Sequence, residues 1–319
     1  MPSGICIYLG EALARYNFGE GHPFGPHRYG AFADELARRG LEPRLRVCKP
    51  VAATRQEIAW FHTDAYIKRV QTLSEQGTGL LDQGDTPAFP GIYQAAATVV
   101  GSTLAAVRQV AEGACRRAFV PIAGLHHARR DRAAGFCVFN DCGVAIEALR
   151  RRYNIRRVAY VDIDAHHGDG IYYSFEVDPE LFIVDFHEDG RYLYPGTGFA
   201  DETGRSLAAG TKLNIPMPMG ADDGAVHRIW DTAEGFLRER RPEFILFQCG
   251  ADGLAGDPIA HLAYTPATHA HVARRLCRLA DECCGGRLVA LGGGGYDLVN
   301  LSAAWCAVVE ALLEGSGAD

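Results

Sequence analysis

The sequence predicts a single α/β domain with a central, mostly parallel β-sheet and helices on both faces. From about residue 118 onward, short apolar runs alternate with longer segments whose apolar residues recur at helical spacing. Such alternation is typical of parallel sheets, whose strands are joined by crossover helices. No shift in composition and no repeat of ~20–50 residues interrupts the chain. We therefore predict one domain over residues 1–319.

The individual elements follow from apolar periodicity and from Gly and Pro positions. Tyr16–Arg28 is too rich in Gly and Pro for regular structure, yet it carries histidines, an arginine and aromatic residues, as functional loops often do. The small-residue helix Gly91–Glu112 should be well buried. The predicted strands are Ile5–Leu9, Ala118–Ala123, Arg157–Asp162, Leu181–Phe186, Phe244–Gln248 and Leu288–Leu291. The other predicted helices are Tyr29–Arg39, Ile58–Leu73, Asp141–Arg152, Gly224–Glu239, Thr265–Asp281 and Asn300–Glu314.

The composition is that of a soluble globular protein. Hydrophobic residues make up 48% and charged residues 22%, and the net charge of -7 argues against a nucleic-acid partner. The N-terminus lacks the features of a secretion signal, and no apolar run reaches the ~18 residues of a membrane span. The ten cysteines form no zinc-type CxxC pair. We predict reduced thiols and a cytoplasmic protein without membrane contact.

Polar clusters follow five of the predicted strands at their carboxyl ends. In parallel α/β sheets, ligand sites form outside those ends. We therefore expect the clusters to meet at one edge of the sheet. They are Gly124–Ala128, Asp164 with His166, Asp185 with His187, Gly250–Gly253 and Gly292–Tyr296.

The stretch Val158–Gly170 carries the strongest signal. An apolar run is followed by five ionisable residues within eight positions. In an extended chain, Asp164 and His166 point to the same side, where a carboxylate and an imidazole form half of a divalent-metal site. The alternative is a solvated loop, although so many ionisable groups after a buried strand need partners.

Asp252 is the best candidate for a third ligand, because it closely follows the apolar strand Phe244–Gln248. Two carboxylates and one imidazole leave a coordination position open, as catalytic zinc requires. Iron(II), cobalt or manganese would also suit this donor set. A helix N-cap or a turn residue is the alternative for Asp252.

His126 and His127 lack the spacing of a chelating pair, so a role as general base and acid toward a metal-activated water is more suitable. Each would need a carboxylate on its other ring nitrogen, and Asp162 and Asp169 are available for this. Two histidines paired for stability in the core remain the alternative.

The Tyr296 phenol could donate a hydrogen bond to an oxyanion. The preceding glycines lack the Lys-Ser/Thr of a phosphate-binding loop.

Taken together in this order, the motifs resemble those of the zinc-dependent histone deacetylase family, which includes bacterial acetoin-utilisation-type proteins and acetylpolyamine amidohydrolases. The resemblance extends from about Tyr16 to Asp297 and implies the arginase/deacetylase fold. The motifs are Gly19–Arg28, His62–Ile67, Gly124–Ala128, Gly135–Asp141, Asp162–Gly170, Tyr194–Gly198, Gly250–Pro258 and Leu291–Tyr296.

The resemblance also implies roles for individual residues. His127 would be the general base, and Tyr296 would bind the substrate carbonyl oxygen. Arg28 would line an internal cavity through which acetate leaves. The implied zinc ligands are Asp164, His166 and Asp252; the implied pairs are His126 with Asp162 and His127 with Asp169; and the implied walls of an acyl-lysine tunnel are Gly135, Phe136 and Tyr194. A structural potassium ion is implied near Asp162 and the Asp185–His187 segment, although Asp185 replaces the more usual Ser.

The resemblance favours an acylated lysine of a protein or peptide as substrate. Ile259 occupies the position at which one polyamine-selective branch carries Glu. Peptide-binding relatives use an Asp on the rim loop after the His62 region, for which Glu75 or Asp82 are candidates here. Acetylpolyamine hydrolysis and non-catalytic binding of acyl-lysine remain alternatives. His167 has no assigned role.

Overall fold

Eight strands form one sheet in the computed structural model, which describes residues 4–315. All neighbouring strands are parallel, in the order β2-β1-β3-β8-β7-β4-β5-β6. The carboxyl ends of the strands therefore lie along one edge, as the sequence predicted. The strands are β1 Ile5–Tyr8, β2 Arg46–Cys48, β3 Arg117–Val120, β4 Val158–Asp162, β5 Leu181–Glu188, β6 Lys212–Met217, β7 Phe244–Gln248 and β8 Leu288–Leu291.

Helices cover both faces of this sheet. They are α1 Glu11–Ala14, α2 His27–Arg38, α3 Arg55–Ile58, α4 Asp64–Gln76, α5 Ile92–Ala111, α6 Asp141–Tyr153, α7 Asp169–Ser174, α8 Asp223–Arg240, α9 Pro266–Cys284 and α10 Leu298–Glu314. On one face α2, α10, α9 and α8 pack in succession, and on the other α4, α5 and α6 do so. Within residues 4–315, no helix combines the length and the apolar character that a bilayer crossing requires.

The structure differs from the predicted elements in its two edge strands, in one long helix and in the short helices α1 and α7, which were not predicted. The edge strands β2 and β6 were not predicted: β2 is short and mostly exposed, and β6 contains Pro216. The predicted helix Ile58–Leu73 is interrupted at residues 59–63: α3 ends at Ile58, and α4 begins at Asp64, where the Thr63 side-chain oxygen caps its N-terminus.

Gly101 allows helix α5 to pack closely on the chain before α3. A Cβ at this position would overlap the backbone of residues 51–53. Gly235 is also inside a helix, α8, but has open space around its Cα. The two helical glycines therefore form a matched pair: an added Cβ would overlap other atoms at Gly101 but not at Gly235.

We predict that Gly101→Ala lowers the free energy of unfolding by about 1–3 kcal/mol through overpacking. Gly235→Ala should instead raise it by about 0.5–1 kcal/mol, because alanine favours the helical backbone. Guanidinium unfolding followed by circular dichroism measures both changes. A Gly101→Ala protein as stable as Gly235→Ala would contradict the close contact.

Candidate active site

Asp164, His166 and Asp252 converge beyond the carboxyl ends of β4 and β7. All three are buried, and one ligand atom from each lies within 4.8 Å of the others. The Nδ1 atom of His166 is 3.2 Å from Oδ1 of Asp164 and 3.1 Å from Oδ2 of Asp252. Two neighbouring buried carboxylates need either protonation of one of them or a cation beside them. The structure thus brings together the three predicted ligands, and this donor set fits a divalent metal.

The same proximity shifts the pKa values of the group. Burial and the neighbouring Asp164 charge raise the pKa of Asp252 to about 7. Burial disfavours the charged form of His166, but its hydrogen bonds with the two carboxylates outweigh burial and raise its pKa to about 10. The cluster therefore needs a shared positive charge, which a proton or a metal ion supplies.

The Asp164 carboxylate is fixed by groups from two other strand ends. Its Oδ2 atom accepts hydrogen bonds from the Gln248 side-chain amide and the Gly294 backbone N–H, both at 2.9 Å. A Cβ at Gly250 or Gly294 would overlap this carboxylate. Sequence reasoning missed Gln248, for which the one available signal was a polar residue ending an apolar strand.

His126 and His127 face each other, each bonded to the carboxylate expected from the sequence. Nδ1 of His126 is 2.8 Å from Oδ2 of Asp162, and Nδ1 of His127 is 2.8 Å from Oδ1 of Asp169. The two Nε2 atoms are 3.1 Å apart. Nε2 of His126 is 3.9 Å from Oδ1 of Asp164. Both imidazoles thus present Nε2 beside the metal-ligand cluster.

The two imidazoles differ in basicity because their surroundings differ. Burial disfavours a charge on His126, but Asp162 and Asp164 outweigh it and raise its pKa to about 10. Burial and the positive charge of His126 lower the pKa of His127 to about 4. His127 is therefore neutral near pH 7, with a lone pair that can accept a proton.

Two buried residues at the start of α6 hold the backbone of the 124–128 loop. The Asp141 carboxylate accepts hydrogen bonds from two N–H groups of this loop at 2.8–3.1 Å. The Asn140 amide donates to two of its carbonyls, at 3.1 and 2.8 Å. Sequence reasoning quoted this motif but gave neither residue a function.

Tyr296 lines the same small cavity, of about 20 Å³, as the two histidines. Its backbone N–H donates to Asp257 at 2.8 Å, and its ring meets Phe136 edge-on with centroids 5.9 Å apart. Arg28 is buried, its guanidinium lies 5.5 Å from the centre of the Tyr296 ring, and it donates to two carbonyls of the glycine segment before Tyr296. Its Nη1 atom has no hydrogen-bond partner among the described residues. Asp257 is a further supporting residue that sequence reasoning missed.

Gly135 and Tyr194 lie between the histidines and solvent. The Tyr194 side chain is partly exposed, and its ring centroid is 5.1 Å from that of His127. A Cβ at Gly135, where φ is +52°, would meet the His127 ring at 2.5 Å and the Tyr194 ring at 3.1 Å. Nδ1 of His167 is 2.9 Å from the Thr197 hydroxyl. His167 thus supports the loop that carries Tyr194.

The Asp185–His187 segment supports this 194–198 loop as well. Nδ1 of His187 is 2.7 Å from Oδ1 of Asp185, and its Nε2 donates to the Gly198 carbonyl at 2.8 Å. The other Asp185 oxygen accepts the Gly168 N–H at 2.9 Å. Both oxygens of Asp185 therefore have protein partners, and the potassium ion remains a prediction.

Asp85 is an exposed carboxylate of an outer groove, which Asp82 and Asp131 also line. Asp82 caps its own loop by accepting three backbone N–H groups, and Glu75 is an exposed residue of α4. The Asp85 carbonyl lies 3.0 Å from Nε2 of His22, whose ring centroid is 4.6 Å from that of Phe136.

Ile259 is half-buried. Its N–H donates at 3.0 Å to the carboxylate of Asp257, which also accepts the Tyr296 N–H. The predicted substrate residue is thus linked to Tyr296 through Asp257 and has no hydrogen bond to the metal-ligand cluster.

Comparisons with known proteins agree with this geometry. Residues 22–312 match the histone deacetylase domain family. The chain is 36% identical to the acetoin utilization protein AcuC of Bacillus subtilis (strain 168), over 93% of this chain and 79% of that protein. It is 32% identical to histone deacetylase 19 of Arabidopsis thaliana, over 95% of this chain but only 60% of that protein.

Among solved structures, the crystal structure of the HDA15 HD domain superposes with a TM-score of 0.89 at 27% identity, covering 99% of this chain and 91% of that chain. The single parallel sheet is therefore the arginase/deacetylase fold, as the resemblance implied. Family match, identity and fold agree over nearly the whole length: this chain belongs to the histone deacetylase family.

Proposed function

We propose that the protein is a zinc-dependent deacylase that hydrolyses the acyl amide of modified lysine side chains in proteins or peptides. The observation that carries this proposal is the meeting of three metal-ligating side chains, two His–Asp pairs and Tyr296 around one cavity. The ligand cluster suits zinc and would also accept iron(II). When bound, the metal supplies Lewis acidity toward the acyl carbonyl and the attacking water.

The residues of the chain perform the proton transfers. His127 accepts a proton at Nε2 as water attacks the carbonyl carbon. The Tyr296 hydroxyl donates a hydrogen bond to the carbonyl oxygen as that oxygen becomes negative. The C–N bond then breaks, and the proton held by histidine passes to the leaving amine. The products are a carboxylic acid and a free lysine amine, and no covalent enzyme intermediate is needed.

The entrance can accommodate a peptide substrate, and Ile259 is the feature that argues against a polyamine. The outer groove of about 870 Å³ is lined by Asp85, Gly135 and Tyr194 among others, so it begins where the acylated chain would enter. The Asp85 carboxylate can accept the backbone N–H groups of a peptide, and it can also pair with the ammonium groups of a polyamine. Ile259 offers no carboxylate to a second amine.

We predict that Tyr296→Phe lowers kcat for an acetyl-lysine peptide by about 10²–10³-fold, because the oxyanion loses a donor. The thermal unfolding midpoint should stay near that of the wild type. Tyr192→Phe, a change at an exposed tyrosine, is the control and should keep full activity. Full activity of Tyr296→Phe would rule out the proposed role.

Gln248→Ala should weaken zinc binding by about 10–100-fold, because Asp164 loses a partner that orients it. Competition with a chromophoric chelator measures the affinity without recourse to activity. Gln83→Ala, in an exposed loop, serves as the control. Equal zinc affinities for the two variants would show that Gln248 does not support the ligand.

Asp85→Asn should lower kcat/KM for an acetyl-lysine peptide by about tenfold, through loss of charge-assisted hydrogen bonds. Asp131→Asn, at another exposed carboxylate of the same groove, should change it little. Side-by-side kinetics with N-acetylputrescine complete the test. A higher kcat/KM for the acetylpolyamine would identify the protein as an acetylpolyamine hydrolase instead.

A further inference from the structure

Glu188 is the last residue of β5 and its side chain is fully buried. Its N–H donates to the carbonyl of Ala165 at 2.9 Å. Ala165 lies between two of the metal-ligating residues, and its own N–H donates to the third, Asp252, at 2.8 Å. Immediately after Glu188 the chain enters the loop that carries Tyr194. Glu188 thus connects the metal-ligand cluster with the start of the loop that carries Tyr194.

Within residues 4–315, both oxygens of the Glu188 carboxylate have the same hydrogen-bond partner, His261. Oε2 accepts the His261 backbone N–H at 2.8 Å, and Oε1 is 2.9 Å from its Nδ1. The His261 side chain is 52% exposed. A carboxylate removed from water needs strong partners, and hydrogen bonds to an ionised group are stronger than neutral ones. The buried Glu188 carboxylate is therefore hydrogen-bonded by a residue at the surface, His261.

His261 ends the Ile259 segment, residues 257–261. Asp257 anchors the start of this segment to the Tyr296 N–H at 2.8 Å. Glu188 anchors its end, so that Ile259 lies between two carboxylate anchors. Asp257 also holds the backbone of Tyr296, and Glu188 belongs to the strand that leads into the Tyr194 loop.

We infer that Glu188 and His261 form a clamp that fixes the Ile259 segment, and through Asp257 the backbone of Tyr296, against the strand that leads into the Tyr194 loop. The clamp thereby keeps Tyr296 and Tyr194, which lie on two sides of the substrate site, in a fixed relative position. Both are positioning residues, because they act through Ile259 and Tyr194. The inference rests on the proposed deacylase function. A loosened clamp weakens the grip on the acyl-lysine stem, whereas the residues that transfer protons keep their places.

The test compares His261→Ala with His261→Asn in the purified, zinc-loaded full chain. The Ala variant should raise KM for an acetyl-lysine peptide by about three- to tenfold while kcat changes less than about twofold. The Asn side-chain amide can donate to Glu188 in place of Nδ1, so the Asn variant should restore KM. His227→Ala, an exposed histidine of α8, is the control. Glu188→Gln should raise KM in the same way.

Amide hydrogen exchange of residues 257–261 provides a readout without turnover. His261→Ala should accelerate exchange in this segment, and His261→Asn should restore protection. An unchanged KM in His261→Ala would refute the clamp. So would a fall in kcat as large as the rise in KM, if His261→Asn did not reverse it. If the wild type hydrolyses no acyl-lysine substrate, the proposed function fails; unchanged exchange in His261→Ala would separately refute the clamp.

Discussion

The burial of acidic side chains at one edge of the sheet is the constraint on which the rest of the site depends. Asp162, Asp164 and Asp252 are almost completely removed from water. Keeping such a group ionised costs on the order of several kcal/mol unless partners compensate it. Histidines, an amide side chain and backbone N–H groups provide those partners here. The groups that stabilise these carboxylates therefore also fix the positions of the side chains in the candidate site.

This constraint also explains how adjacent histidines acquire different properties. His126 lies between two carboxylates, whereas His127 bonds to one and faces the positive charge of its neighbour. Their pKa values consequently move in opposite directions. One residue type thus supplies a charged and a neutral imidazole within hydrogen-bond distance, as proton transfer in both directions requires.

The sequence allowed prediction of those parts of the fold and site whose signal is local. Six strands are buried apolar runs and were recognised, whereas β2 and β6 are edge strands whose mixed composition resembles a loop. The i, i+2 spacing indicated Asp164 and His166 directly. Gln248 was not predictable in the same way, because its partner Asp164 lies 84 residues away along the chain. Glu75 and Asp82 remain candidate rim residues, and the fold adds Asp85, which lines the outer groove together with Asp82.

The hydrogen bond between Asp164 and Gly294 joins residues 130 positions apart. Contacts of such long range require the chain to close large loops before they can stabilise it. A fragment that ends before β8 lacks Gly294, one of the donors that fix the Asp164 carboxylate. Conversely, any ligand that binds only the assembled site shifts the folding equilibrium of the entire domain toward the native state. Occupancy of the site and folding of the chain are therefore one coupled equilibrium.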